Sequence, residues 1–181
     1  YNAPGSYVQV RINAWLHPFD DLLGDSWQTA NSLIAIGSGG LFGLGFGNSK
    51  QKHMYLPEPQ NDFVFAVVAE ELGFIRTLII IVLFVLLVAR GFIIGLRAKS
   101  KFGALLAMGI SFQVGLQTAL NIAVVTATIP NTGISLPFFS YGGTSLVSSL
   151  CIIGLMQGVA ARNAAGVNED RELAMQGGGW R

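Results

Sequence analysis

Residues 74–96 read FIRTLIIIVLFVLLVARGFIIGL, and residues 102–129 read FGALLAMGISFQVGLQTALNIAVVTATI. As a helix rising 1.5 Å per residue, the first run is about 34 Å long, enough to cross the hydrocarbon core of a bilayer. Its Arg76 and Arg90 lie near the ends, where long side chains reach the interface. The second run carries no charge at all, and a third apolar run, 144–161, is short and rich in small residues. Three transmembrane helices are expected, and with them an all-α polytopic membrane protein.

Composition agrees. The chain has 181 residues, 51% hydrophobic and only 12% charged, with net charge +1 and mean hydropathy +0.53. A soluble domain carries about 25% charged residues. Seven of the ten acids lie at or before Glu71 and the other three are Glu169, Asp170 and Glu172. Between Glu71 and Glu169 the only cations are Arg76, Arg90, Arg97, Lys99, Lys101 and Arg162. This excludes an ordinary soluble domain, a disordered tail and a basic nucleic-acid-binding domain. The one cysteine, Cys151, sits in an apolar run, which leaves no disulfide framework or thiolate metal site. A start at Tyr1, without methionine or signal-peptide pattern, leads us to expect part of a longer protein.

The expected organisation is a large loop over 1–73, three spans at about 74–96, 102–129 and 144–161 joined by a loop at 130–143, and a tail over 162–181. Within the first part, Ser26 to Ile36 fits a short amphipathic helix with Trp27, Ala30, Leu33 and Ile34 on one face. The glycines from Gly37 to Gly47 then forbid a regular helix, and the interleaved Leu41, Phe42, Leu44 and Phe46 predict a loop lying against protein or in the interfacial zone. Phe63 to Leu72 fits a further helix, capped by Asn61 or Asp62. Arg97, Lys99 and Lys101 between spans one and two, and Arg162 after span three, put those ends in the cytoplasm by the positive-inside rule. The N-terminal loop is then extracytoplasmic and the C-terminus cytoplasmic.

Few residues can carry chemistry. Lys50 and Lys52 suit a phosphate or pyrophosphate as point charges, or equally lipid headgroups. Asp62 is placed either to act as a general base toward a hydroxyl or to cap the helix after it. Glu70 and Glu71, at the border of the first span, are acids at membrane depth, suited to structural ion pairing or to catalysis. Gln113, Gln117 and Asn121 make one polar stripe on span two, expected to hydrogen-bond between helices, and Gly154 and Gly158 on span three predict close helix packing. Residues 130–145 are too apolar for a free loop and too broken for a helix, which predicts a pocket wall or re-entrant segment. There is no phosphate-loop spacing, no GxSxG, and no ligand-type spacing between His17 and His53.

Two long motifs carry a resemblance. Ser38 to Gly45, then Lys52, Leu56-Pro57-Glu58, Asn61 to Ala66 and Glu70-Glu71-Leu72-Gly73, with Thr132 to Ser145 as a second signature, resemble the SEDS family (shape, elongation, division and sporulation), which includes FtsW, RodA and SpoVE. The resemblance runs to about Asn163. It implies the C-terminal half of a roughly ten-helix peptidoglycan glycosyltransferase of the bacterial plasma membrane, which polymerises lipid II into glycan strands. It also implies a class B penicillin-binding transpeptidase as partner beside membrane lipids, with no nucleic acid. The alternative is a non-enzymatic lipid-linked precursor transporter or a scaffold for that transpeptidase. By motif position, Asp62 becomes the catalytic residue, and Lys50, Lys52, Glu58, Glu70, Glu71, Ser140, Tyr141, Gly142 and Gly143 become substrate-binding. No cofactor is evident and no dedicated metal site is seen, although a divalent cation is compatible. Trp15, Pro18, Gln28 and Ile129 to Gly133 stand closer to FtsW or SpoVE than to RodA. Arg76 departs from the small residues usual after the Glu-Glu-Leu-Gly element.

Overall fold

A computed structural model describes residues 7–19, 26–45, 63–139 and 142–177. Among the described residues five helices succeed one another: α1 (Tyr7–Leu16), α2 (Trp27–Gly39), α3 (Val64–Leu96), α4 (Lys101–Val125) and α5 (Gly143–Gly177). Three of them are long and apolar enough to cross a membrane: α3, α4 and the Gly143–Gly166 part of α5. The α1 helix has no counterpart among the elements expected from the sequence.

Helix α3 packs chiefly on α4 and on α2, while α5 touches α4 and α3 more lightly. The core runs along α4, where Ala107, Ile110 and Val114 meet Phe84 of α3 and Met156 of α5. Close approach is allowed by Gly91 of α3, where a Cβ would run into the Ser111 hydroxyl. That hydroxyl donates to the Ala107 carbonyl at 2.7 Å, so it is not left unpaired in the core.

Several element boundaries differ from expectation, each for a physical reason. The second span ends at Val125, not at residue 129. Pro130 disfavours a helical Ile129, and the Thr128 and Ile129 amides both turn back to the Ala123 carbonyl, at 2.8 and 3.3 Å. Its start is fixed by Ser100, whose hydroxyl accepts the Gly103 amide at 3.1 Å. The third span does not stop at Ala161 but continues as helix to Gly177; residues 162–177 contain no proline and many good helix formers. Helix α2 runs through Gly37 to Gly39, further than a glycine-rich stretch predicts.

Two packing details stand out among the described residues. The buried face of α2 is not the one carrying Leu33 and Ile34 but the small and polar one, with Ala30, Asn31, Ser32, Ala35 and Gly39. Small residues let the helix sit almost backbone to backbone on α3: a Cβ on Gly39 would overlap the Ala69 carbonyl. Gly154 and Gly158, expected at a close crossing, face open space among the described residues.

Candidate active site

The first span is broken by one residue. Gly73 has φ 75° and ψ 175° inside α3, a conformation costly for any side chain. A break there leaves the Glu70 and Glu71 carbonyls and the Phe74 and Ile75 amides without their helical partners. All four are taken up by the glycine-rich turn after α2. The Leu44 and Gly45 amides donate to the Glu70 and Glu71 carbonyls at 3.0 and 3.1 Å, and the Phe74 and Ile75 amides donate to the Gly40 and Leu41 carbonyls at 2.9 and 3.3 Å.

The pattern is a reciprocal exchange. Each segment offers two consecutive carbonyls and, four residues on, two consecutive amides. An unbroken helix would pair these within the segment, 40 with 44 and 70 with 74. Here each pairs with the other segment. Two glycines make it possible: Gly43, at φ 82°, and Gly73 lie so close that a Cβ on either would strike the backbone of the other segment. Arg76, the residue that departs from the family pattern, joins the same junction by donating to the Phe42 carbonyl at 3.3 Å.

Glu70 and Glu71 are buried in this junction, 1% and 8% exposed. Oε1 of Glu71 has no hydrogen-bond partner among the described residues. A buried carboxylate oxygen in that state is costly unless a group outside the described residues meets it. The exchange also fixes the chain on both sides of the segment that carries the other candidates. Gly45 is bonded to the Glu71 carbonyl, and Phe63, the residue before α3, is buried at the start of that same helix. Lys50, Lys52, Glu58 and Asp62 lie between them, outside the described residues, as do Ser140 and Tyr141.

The second signature is a wall of non-helical backbone held from three sides. From α4, the side-chain amide of Asn121 donates to the Ile134 carbonyl at 2.8 Å and that of Gln117 to the Ser135 carbonyl at 3.0 Å. Two members of the polar stripe therefore hold a loop, and Gln113 is exposed among the described residues. From α1, Arg11 donates to the Asn131 carbonyl and Trp15 to the Ala127 carbonyl, both at 2.7 Å. Below, Leu136 and Pro137 are fully buried, and Phe138 and Phe139 each lie 6.2 Å, centroid to centroid, from Phe84 of α3. Beyond this wall the Gly142 carbonyl accepts the Leu146 amide in the first turn of α5, and Gly143 is exposed. Non-helical backbone at membrane depth must have its polar groups satisfied by protein or water, and these contacts do much of that. The anchors Arg11, Trp15 and Gln117 carry a signal in the sequence only for Gln117, through its spacing with Asn121.

Known proteins are similar to this chain over most of its length. The sequence profile of the family described as "Cell cycle protein", FtsW/RodA/SpoVE, matches residues 3–165. The chain belongs to the FtsW/RodA/SpoVE family. It is 49% identical to stage V sporulation protein E of Bacillus subtilis, over 85% of this chain and 42% of that one. With the protein named "Probable peptidoglycan glycosyltransferase FtsW" of Thioalkalivibrio it shares 51% identity, over 84% of this chain and 39% of the relative. A solved chain from a peptidoglycan synthase complex that coordinates polymerization and crosslinking superimposes with TM-score 0.69 at 30% identity, over 88% of this chain and 43% of that one. The chain thus spans less than half the length of these relatives. Like other FtsW/RodA/SpoVE members, it is a multi-pass membrane protein, with a fold that places the exchange and the second signature at one end of its spans.

Proposed function

We propose that the protein to which this chain belongs is a peptidoglycan glycosyltransferase that polymerises lipid II. The observation that carries the reading is the family match across residues 3–165, with relatives bearing that activity in their names. The loop end of the bundle is extracytoplasmic in this reading and the end with Arg97, Lys99 and Lys101 is cytoplasmic, supported by the positive-inside rule. Asp62 takes the proton from the acceptor sugar hydroxyl as that oxygen attacks the anomeric carbon of the donor. The bond from that carbon to the pyrophosphate breaks, and Lys50 and Lys52 stabilise the charge left on the lipid pyrophosphate. Glu58, Glu70 and Glu71 support the site, and Ser140, Tyr141, Gly142 and Gly143 take part in substrate binding.

The likeness to a synthase complex supports a transpeptidase of the penicillin-binding class as the partner in the same membrane. No group of three or more metal-ligating side chains gathers among the described residues, and the reading assigns no resident cofactor; a divalent cation would enter with the pyrophosphate.

The test is Asp62→Asn in the full-length protein. Lipid II polymerisation in detergent is expected to fall at least about 100-fold, the scale of a lost general base, while capture of the transpeptidase is unchanged. Wild-type polymerisation by this variant would overturn the assignment of Asp62. A wild-type protein that polymerises nothing yet moves lipid II across vesicles would replace the enzyme by a transporter.

A further inference from the structure

At the opposite end of the bundle lies a feature that plays no part in this chemistry. Arg90, Ile93, Ile94 and Arg97 fall at i, i+3, i+4 and i+7 on one face of α3. Facing them on α5 are Ala160, Asn163 and Ala164, and the two stripes wall a half-open groove of about 450 Å³. Asn163 ties the walls together at the floor, its amide donating to the Ile94 carbonyl at 3.3 Å. Lys99 closes one end, with its backbone amide on Asn163 Oδ1 at 3.4 Å and its Nζ donating to the Gly166 carbonyl at 2.7 Å.

The two arginines are exposed, and neither guanidinium has a hydrogen bond or ion pair among the described residues. Asp and Glu are absent from the sequence between Glu71 and Glu169. Guanidinium groups close to the hydrocarbon are costly without an anion. Seven residues set their Cα atoms about 10 Å apart along the axis, a gap that shrinks when the Arg90 side chain snorkels toward the headgroup layer where Arg97 already stands. Two planar forks then converge on one level, a geometry matched to phosphate oxygens. Ile93, Ile94, Ala160 and Ala164 continue the groove as an apolar strip. Basic pockets between membrane helices on this side suit anionic headgroups.

We propose that this groove is a binding site for one anionic phospholipid, its phosphate held by Arg90 and Arg97 and one acyl chain laid along Ile93, Ile94, Ala160 and Ala164. The occupant is a lipid and not a free anion, because the charged rim and the apolar strip are continuous. A zwitterionic lipid fits less well, since its ammonium group would stand beside two guanidinium groups.

The experiment is native mass spectrometry of the full-length protein from detergent, with phosphatidylglycerol and phosphatidylcholine as probes. Phosphatidylglycerol is expected to be retained in preference to phosphatidylcholine, and the double variant Arg90→Gln with Arg97→Gln to retain about tenfold less, the scale of lost charge-assisted bonds. Lys101→Gln, which removes a nearby cation outside the groove, leaves retention unchanged. Ala164→Phe, which fills the groove from α5 and keeps both arginines, lowers retention as well and guards against a double variant that fails to fold. Equal retention of the two lipids, wild-type retention by the double or the Ala164 variant, or an equal loss with Lys101→Gln would overturn the proposal. So would displacement of phosphatidylglycerol by inorganic phosphate at comparable concentration, which would mark a free-anion site.

Discussion

Asn121 shows how much one polar side chain can decide in a membrane helix. It is fully buried on α4, and its amide holds the Ile134 carbonyl of a loop that has no ladder of its own. Replacing it by leucine strands that carbonyl in an apolar surrounding, at a cost of about 1–3 kcal/mol. Gln117 makes the corresponding bond one turn earlier from a half-buried position, where water can substitute. Asn121→Leu is therefore expected to lower the melting temperature in detergent clearly more than Gln117→Leu, and equal losses would show that the loop is held elsewhere. The four-residue spacing of the stripe was legible in the sequence. Its partner was not, because a side-chain amide offers the same donor to a helix or to a loop, and only the fold decides which carbonyl is near.

At the scale of elements, the exchange between residues 40–45 and 70–75 replaces four helical bonds by four crossed ones, so hydrogen bonding alone does not favour it. Glycine geometry and packing decide. Gly43→Ala and Gly73→Ala each add a Cβ against backbone at positive φ, and each is expected to cost at least about 1 kcal/mol. We expect far-UV circular dichroism to stay near wild type in both, because uninterrupted helices use as many bonds, while polymerisation by the full-length protein falls about tenfold or more. Gly37→Ala is the control. It lies inside α2 with open space where the Cβ would go, and it is expected to stabilise by about 0.5–1 kcal/mol through helix propensity alone. Normal polymerisation by both Gly43→Ala and Gly73→Ala would dissociate the exchange from function. The break at Gly73 and the glycine-dense turn could each be read from sequence. That they complete one another could not, since the matching groups are backbone atoms about 30 residues apart and leave no trace in side-chain pattern.

For the whole molecule, burial is uneven. In the apolar window of α4, 39% of residues are buried, against 17% in α3 and 11% in α5. The faces left open, with Val147, Leu150 and Leu155 on α5 and Val82, Leu83, Val85 and Leu86 on α3, are broad enough for lipid or for further helices. Relatives more than twice as long offer the latter. Expressed alone, residues 1–181 are expected to insert in membranes yet polymerise no lipid II, and measurable polymerisation by them would show that the described bundle is a sufficient catalyst. The existence of three spans was readable from charge and hydropathy, which depend on composition over long windows. The end of the second at Val125 was not, because helix termination rests on local capping and on the few residues just beyond the helix. The crossed pairing around Gly43 and Gly73 also makes its two segments intolerant of a change in length. An added residue between Gly40 and Gly45, or between Glu70 and Ile75, throws carbonyls and amides out of step. In this protein the frame that flanks the candidate chemistry is a part that must be counted residue by residue.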